Sequence, residues 1–269
     1  MYEKDNYKIL SCNKKSKYCL VCFSSNGLKL ENENRYEFQN ITNNRKIRKF
    51  YNKIIFVRDV KKHFYIEGIN SDINNLEKTI FFLQEKTEGL IVRTIGNSSG
   101  GFMAFLTSCN LKNVELCYSF SGVLAPLEWH GPNFDYNVYD YECLKNADKK
   151  TFVFLNSYKI AQPITFTLLH FASFYNRADS LQTEIIKKHF KNNLIMILMK
   201  TTTHGSTIWS YDFKYLLTKK LSQLASLSKL KQPVSKSRFS FHNQGLFSYL
   251  INLFSFGIRK LLKVKRKTN

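Results

Sequence analysis

Short, nearly unbroken apolar runs alternate along this chain with longer stretches in which apolar residues recur every three or four positions. Tyr18–Phe23 (YCLVCF), Lys53–Val57 (KIIFV), Gly89–Ile95 (GLIVRTI), Val114–Phe120 (VELCYSF) and Leu194–Met199 (LIMILM) read as strands, and Ile164–Tyr175 is apolar and β-rich. Asn74–Glu88 places Leu76, Ile80, Phe81 and Leu83 at helical spacing behind Ser71-Asp72. Gly101–Cys109, Ser180–His189 and Ile208–Leu221 read as further helices. Strands that are apolar throughout must be covered on both faces. The alternation therefore predicts an α/β chain with a mostly parallel central sheet and helices on both sides.

Two stretches break this rhythm. Leu124–Lys150 is rich in Pro, Trp, Tyr and Asn without a clear period, and reads as a long loop or small cap. From about Ser222 the chain turns Ser- and Lys-rich. We expect one domain over 1–221, a linker over 222–245 and a basic amphipathic tail over 246–269. In the tail Leu246, Leu250, Ile251, Phe254, Ile258 and Leu262 recur at helical spacing. Arg259, Lys260, Lys263, Lys265, Arg266 and Lys267 close it, as in a helix lying at an anionic membrane surface.

Charge strengthens that expectation. The 269 residues carry 41 Lys and Arg against 20 Asp and Glu, a formal net charge of +21. Such a surplus attracts anionic partners. No recognition motif accompanies it, so nucleic acid is not an expected partner. No secretory leader and no apolar run of spanning length stands out, which predicts a cytoplasmic protein held peripherally on the inner membrane face. The six cysteines read as reduced and structural. Cys19 and Cys22 form a C-x-x-C, but on a strand their side chains face opposite sides, so no metal is expected.

The stretch richest in chemistry is Gly96-Asn97-Ser98-Ser99-Gly100-Gly101, placed between an apolar strand and an apolar helix. G-x-S-x-G in that context predicts a nucleophile elbow: a turn too sharp for side chains at the glycines, which lifts Ser98 to a helix N-terminus where developing negative charge is favoured. A serine hydroxyl needs a base. His204, just past the last apolar strand, is the candidate; His170 reads as a core residue. Asp179, after the penultimate strand, is the candidate acid to orient the imidazole, with Asp212 as the alternative. The oxyanion hole is expected from the Ser99 N–H and one N–H of Ser24, Ser25 or Asn26.

The strand–elbow–helix unit and the order Ser98, Asp179, His204 resemble the α/β-hydrolase superfamily over roughly 18–221. Within it the chain resembles esterase-like proteins encoded among bacterial surface-polysaccharide genes. Those often carry F-x-R-D, an aromatic pair and Gly ahead of G-x-S-x-G-G-[YF]-x-A. Here these are Phe56-Val57-Arg58-Asp59, Phe64-Tyr65, Gly68, and Gly96 through Gly101 with Phe102 and Ala104; Phe64 stands where Trp is usual. The resemblance implies a serine esterase or deacylase working through an acyl-enzyme on an acylated surface glycan or small ester. Two alternatives stay open: an O-acyltransferase with the same triad, for which acetyl-CoA is a possible donor, and a non-catalytic glycan-binding or scaffold protein. No cofactor is otherwise expected. Trp129, His130 and Tyr136 are candidate substrate contacts; Arg58 either pairs structurally with Asp59 or faces the pocket.

Overall fold

The computed structural model describes residues 6–26, 36–124, 165–190, 193–205, 208 and 210–254. The candidates Trp129, His130 and Tyr136, the cap at 124–150 beyond its first residue, and the basic run 259–267 lie outside them. Among the described residues, seven strands form one sheet in the order β1-β3-β2-β4-β5-β6-β7. They are β1 (Tyr7–Ser11), β2 (Tyr18–Phe23), β3 (Lys53–Val57), β4 (Ile91–Asn97), β5 (Val114–Phe120), β6 (Thr167–Ser173) and β7 (Leu194–Met199). β1 is antiparallel to β3 and every other pair is parallel. The α/β expectation therefore holds, and β2, β3, β5 and β7 start and stop where the apolar runs do. The edge strand β1 was not foreseen: Tyr7-Lys8-Ile9-Leu10-Ser11 is too mixed to stand out as a run.

Among the described residues the helices are α1 (Arg45–Phe50), α2 (Leu76–Lys86), α3 (Ser99–Asn110), α4 (Arg177–His189), α5 (Phe213–Leu216), α6 (Leu221–Leu224) and α7 (Lys236–Gln244), and residues 246–254 are also helical. They cover both faces, as the two separate apolar clusters show. One cluster joins Leu76, Ile80, Phe82 and Leu83 of α2, the α3 residues Phe102 to Leu106, and Ile186 of α4. The other joins Ile47 of α1 with Leu216, Leu224, Leu227, Val234 and Phe239. Cys19 belongs to the first cluster and Cys22 to the second, so the C-x-x-C straddles the sheet as the strand period requires. In α2 it is Phe82 that packs inward, while Phe81 is exposed.

Two expectations are corrected on the second face. Ile208–Leu221 is not one closing helix: it is broken into a 3-10 turn at Ser210–Asp212, then α5, then α6. Nor is 222–245 a linker. Leu224, Leu227, Leu230, Val234 and Phe239 are buried, because they recur often enough to seal the β5–β7 half of the sheet despite the Ser and Lys between them. Val234 even bridges to Met199 at the β7 edge.

Arg93 of β4 holds this C-terminal strap against the sheet. Its fully buried guanidinium donates to Glu115 at 2.5 and 2.9 Å, and to the Leu217 and Lys219 carbonyls at 3.2 and 2.8 Å. The rings of Tyr18 and Phe50 lie 5.0 Å from it. Replacing Arg93→Leu strands those acceptors. We expect a loss of about 3 kcal/mol in unfolding free energy, read from the shift of the urea midpoint.

Candidate active site

Strand order reverses at β2: the chain steps outward from β2 to β3, then returns to the other side of β2 with β4. In an open α/β sheet this reversal opens a crevice beyond the C-terminal strand ends. The loop after β2 (Ser24–Asn26) and the turn after β4 (Ser98) both lie there.

Ser98 connects β4 to α3 with φ 52° and ψ −121°, a left-handed backbone that a side-chain-bearing residue adopts only under constraint. The glycines explain how the turn closes. A Cβ on Gly96 would sit 1.9 Å from the Gly100 carbonyl oxygen, and one on Gly100 would sit 2.4 Å from that of Phe23. The Ser98 N–H donates to Phe120 O at 2.9 Å, tying the turn to β5.

The three residues singled out in the sequence meet. His204 Nε2 is 2.9 Å from Ser98 Oγ, and His204 Nδ1 is 2.6 Å from Asp179 Oδ1. His204 reaches back on the loop after β7. That loop is held to the β6 loop by Tyr175 N–H on Thr201 O (3.2 Å), Asn176 Nδ2 on Thr202 O (3.4 Å) and Ser173 Oγ on Thr203 O. Asp179 lies in the first turn of α4, but the helix is capped by Asn176, whose side chain accepts from the Asp179 N–H. The carboxyl is thereby released: its Oδ2 accepts from Ser121 Oγ at 2.5 Å and from the Ser173 N–H at 2.8 Å. Burial raises the Asp179 pKa, but hydrogen bonds from His204, Ser121 and Ser173 outweigh it and hold the carboxyl below its ordinary value. Asp212 is elsewhere: its carboxylate accepts from Ser240 Oγ and Gln244 Nε2 and fixes α7.

The oxyanion expectation is corrected at two positions. The Ser24 N–H donates to Val57 O at 2.9 Å, continuing the sheet, and the Ser25 N–H donates to Glu37 Oε2 at 2.6 Å. Neither points to Ser98. The Asn26 N–H instead donates to Ser99 Oγ at 2.8 Å, which brings that loop amide beside the first turn of α3. There the Ser99 N–H has no partner within the helix. Arg58 is buried, its Nε donating to Asn6 Oδ1 at 3.2 Å and its guanidinium lying 5.0 Å from the Tyr36 ring. Asp59 accepts from the Lys61, Lys62 and Tyr65 N–H groups and folds the following turn. Tyr65 then donates its hydroxyl to Ser24 O at 2.7 Å, and Phe64 packs edge-on against Phe102 of α3. The F-x-R-D segment and aromatic pair thus buttress the loop and helix that flank Ser98.

Glu37 was missed by the sequence reading. Its carboxylate accepts from Ser25 N–H and, at 3.0 Å, from Asn97 Nδ2, while its own N–H donates to Ser24 Oγ. It joins the β2 loop to Asn97, the residue before Ser98, and burial raises its pKa. Nothing local marks it, since its partners lie twelve and sixty residues away. Ser121, also missed, has φ 47° and sits directly after β5.

No protein-family model matches the sequence, and no curated relative matches it. Solved structures do match in fold. Esterase B from Lactobacillus rhamnosis HN001 is 14% identical, with 84% of this chain and 87% of that one covered and a TM-score of 0.52. An inhibited form of the same esterase is 12% identical over 99% and 92%, with a TM-score of 0.51. A mutant capsule O-acetyltransferase of Neisseria meningitidis serogroup A, in complex with CoA, is 11% identical over 73% and 84%, with a TM-score of 0.49. The chain has the α/β-hydrolase fold.

His170 of β6, the expected core histidine, is fully buried with Nδ1 3.2 Å from Ser119 Oγ, and burial pushes its pKa down to about 4. The unfolded chain takes up that proton near its ordinary value of 6.5, so stability falls as pH drops from there towards 4. Relative to His170→Gln, the protein should lose up to about 1.4 kcal/mol per pH unit across this window, measured by urea unfolding at each pH.

Proposed function

We propose that this protein is a serine hydrolase that cleaves esters through an acyl-enzyme on Ser98, with an acylated surface glycan as substrate. The observation that carries the reading is the continuous hydrogen-bonded chain Ser98–His204–Asp179, at 2.9 and 2.6 Å. Its nucleophile stands on a strained strand-to-helix turn.

The chemistry follows from those contacts. His204 Nε2 takes the Ser98 hydroxyl proton as Oγ bonds to the ester carbonyl carbon. Asp179 accepts from Nδ1–H, fixing the tautomer that leaves Nε2 free to act and stabilising the imidazolium that forms. Negative charge gathers on the former carbonyl oxygen. The Ser99 N–H at the N-terminus of α3 receives it, and the Asn26 N–H joins by turning from Ser99 Oγ. Collapse breaks the ester C–O bond, and His204 returns the proton to the departing alcohol. Water, deprotonated by His204, then attacks the acyl-serine and releases the acid. A sugar hydroxyl in place of that water would make the same site an O-acyltransferase.

Two features support the glycan. The elbow and F-x-R-D pattern resemble esterase-like proteins of surface-polysaccharide clusters, and a net charge of +21 suits an acidic polymer.

With p-nitrophenyl acetate as substrate, Ser98→Ala should abolish turnover and labelling by a serine-directed fluorophosphonate. Asp179→Asn should keep the fold and lower kcat by about 10⁴, because the imidazole is then held in the wrong tautomer. Equal labelling of wild type and Ser98→Ala would refute the assignment.

A further inference from the structure

The helical residues 246–254 are mounted the wrong way round for a helix that completes a core. Phe247, Leu250, Ile251 and Phe254 stand at i, i+3, i+4 and i+7, one stripe of the helix. All four are exposed, Phe247 at 78% and Phe254 at 73%, and Leu246 and Leu253 flank them, also exposed. The opposite, polar side faces the body. Asn252 Nδ2 donates to Tyr215 OH at 3.3 Å and to Gln244 Oε1 at 2.8 Å, and Ser248 and Tyr249 are half-buried. Gln244 is in turn bound to Asp212, so this orientation is anchored through a buried carboxylate.

Charge says what the stripe meets. After Asp212 the chain carries thirteen Lys and Arg and no Asp or Glu, and six of the thirteen (Arg259, Lys260, Lys263, Lys265, Arg266, Lys267) follow the stripe over 259–267. We propose that this face docks on an anionic lipid surface, with Phe247, Leu250, Ile251 and Phe254 entering the headgroup–acyl boundary and the basic run binding lipid phosphates. Apolar insertion joined to cations is the combination that holds a helix in the plane of a membrane reversibly. Among the described residues no helix is long and apolar enough to cross one. A nucleic acid would use the cations but leave Leu250 and Ile251 unmatched. The proposal is independent of the chemistry at Ser98.

The test is flotation of the full chain with vesicles of phosphatidylcholine alone or mixed with phosphatidylglycerol. Wild type should float with the anionic vesicles only, and the bound fraction should fall at about 1 M salt, where screening is short-ranged. Phe247→Asp with Phe254→Asp should weaken binding by about tenfold or more. Leu250→Ser with Ile251→Ser provides a milder second variant. Both pairs should keep the wild-type circular dichroism and turnover of a soluble ester. The proposal is overturned if wild type ignores both vesicle types, or if the variants float as well as wild type. It also fails if the stripe instead mediates a dimer: sedimentation would then show an association that the Phe variants abolish, without vesicle binding.

Discussion

The left-handed backbone at Ser98 is the constraint on which the site depends. A side-chain-bearing residue in such a conformation costs on the order of 1–3 kcal/mol and persists only where its surroundings fix it. Here they do so from three sides. Gly96 and Gly100 let the strand, the helix and the end of β2 approach to distances no Cβ could share. The Ser98 N–H is bonded into β5. Asn97 is held by Glu37, which also fixes the β2 loop. The strain points Ser98 Oγ out of the turn to where His204 Nε2 waits at 2.9 Å, so the cost of the backbone is converted into position.

That arrangement needs a rigid floor. The sheet supplies it because both of its faces are closed, one by α2, α3 and α4, the other by α1 and the strap that runs from Phe213 to Phe239. Arg93 welds the strap to β4, the strand that carries the elbow. The geometry at the C-terminal strand ends and the packing of residues more than a hundred positions later are therefore linked through one side chain. Residues 236–244 extend the same logic outwards: Asp212 fixes α7, and through Gln244 and Asn252 it sets which face of the last described helix meets the surroundings.

What could be read in the sequence was what local pattern encodes. Apolar runs gave β2, β3, β5 and β7 to the residue, because each is a mostly apolar run with polar or turn-forming residues just outside it, such as Asn193 before β7 and Lys200 after it. The elbow was legible because glycines are sterically required at 96 and 100. His204 and Asp179 were legible from chain order after successive strands. Contacts between distant segments were not legible: Glu37 bonds to Ser25 and Asn97, Ser121 to Asp179, and Arg93 to the Leu217 carbonyl. Composition misled at 222–245, where abundant Ser and Lys suggested a linker although Leu224, Leu227, Leu230, Val234 and Phe239 recur every three to five residues and are buried. Ser24 and Ser25 failed as oxyanion donors because sheet continuation and Glu37 claim their amides. That competition is invisible until the chain is folded.

The most direct test of the central claim is intact-protein mass spectrometry after incubation with an activated acetyl ester, for wild type and Ser98→Ala. Wild type alone should gain one acetyl group, digestion should locate it on the peptide containing Ser98, and the adduct should decay in water. An acetyl group carried equally by both proteins, or by neither under conditions where the ester is in large excess, would contradict the claim.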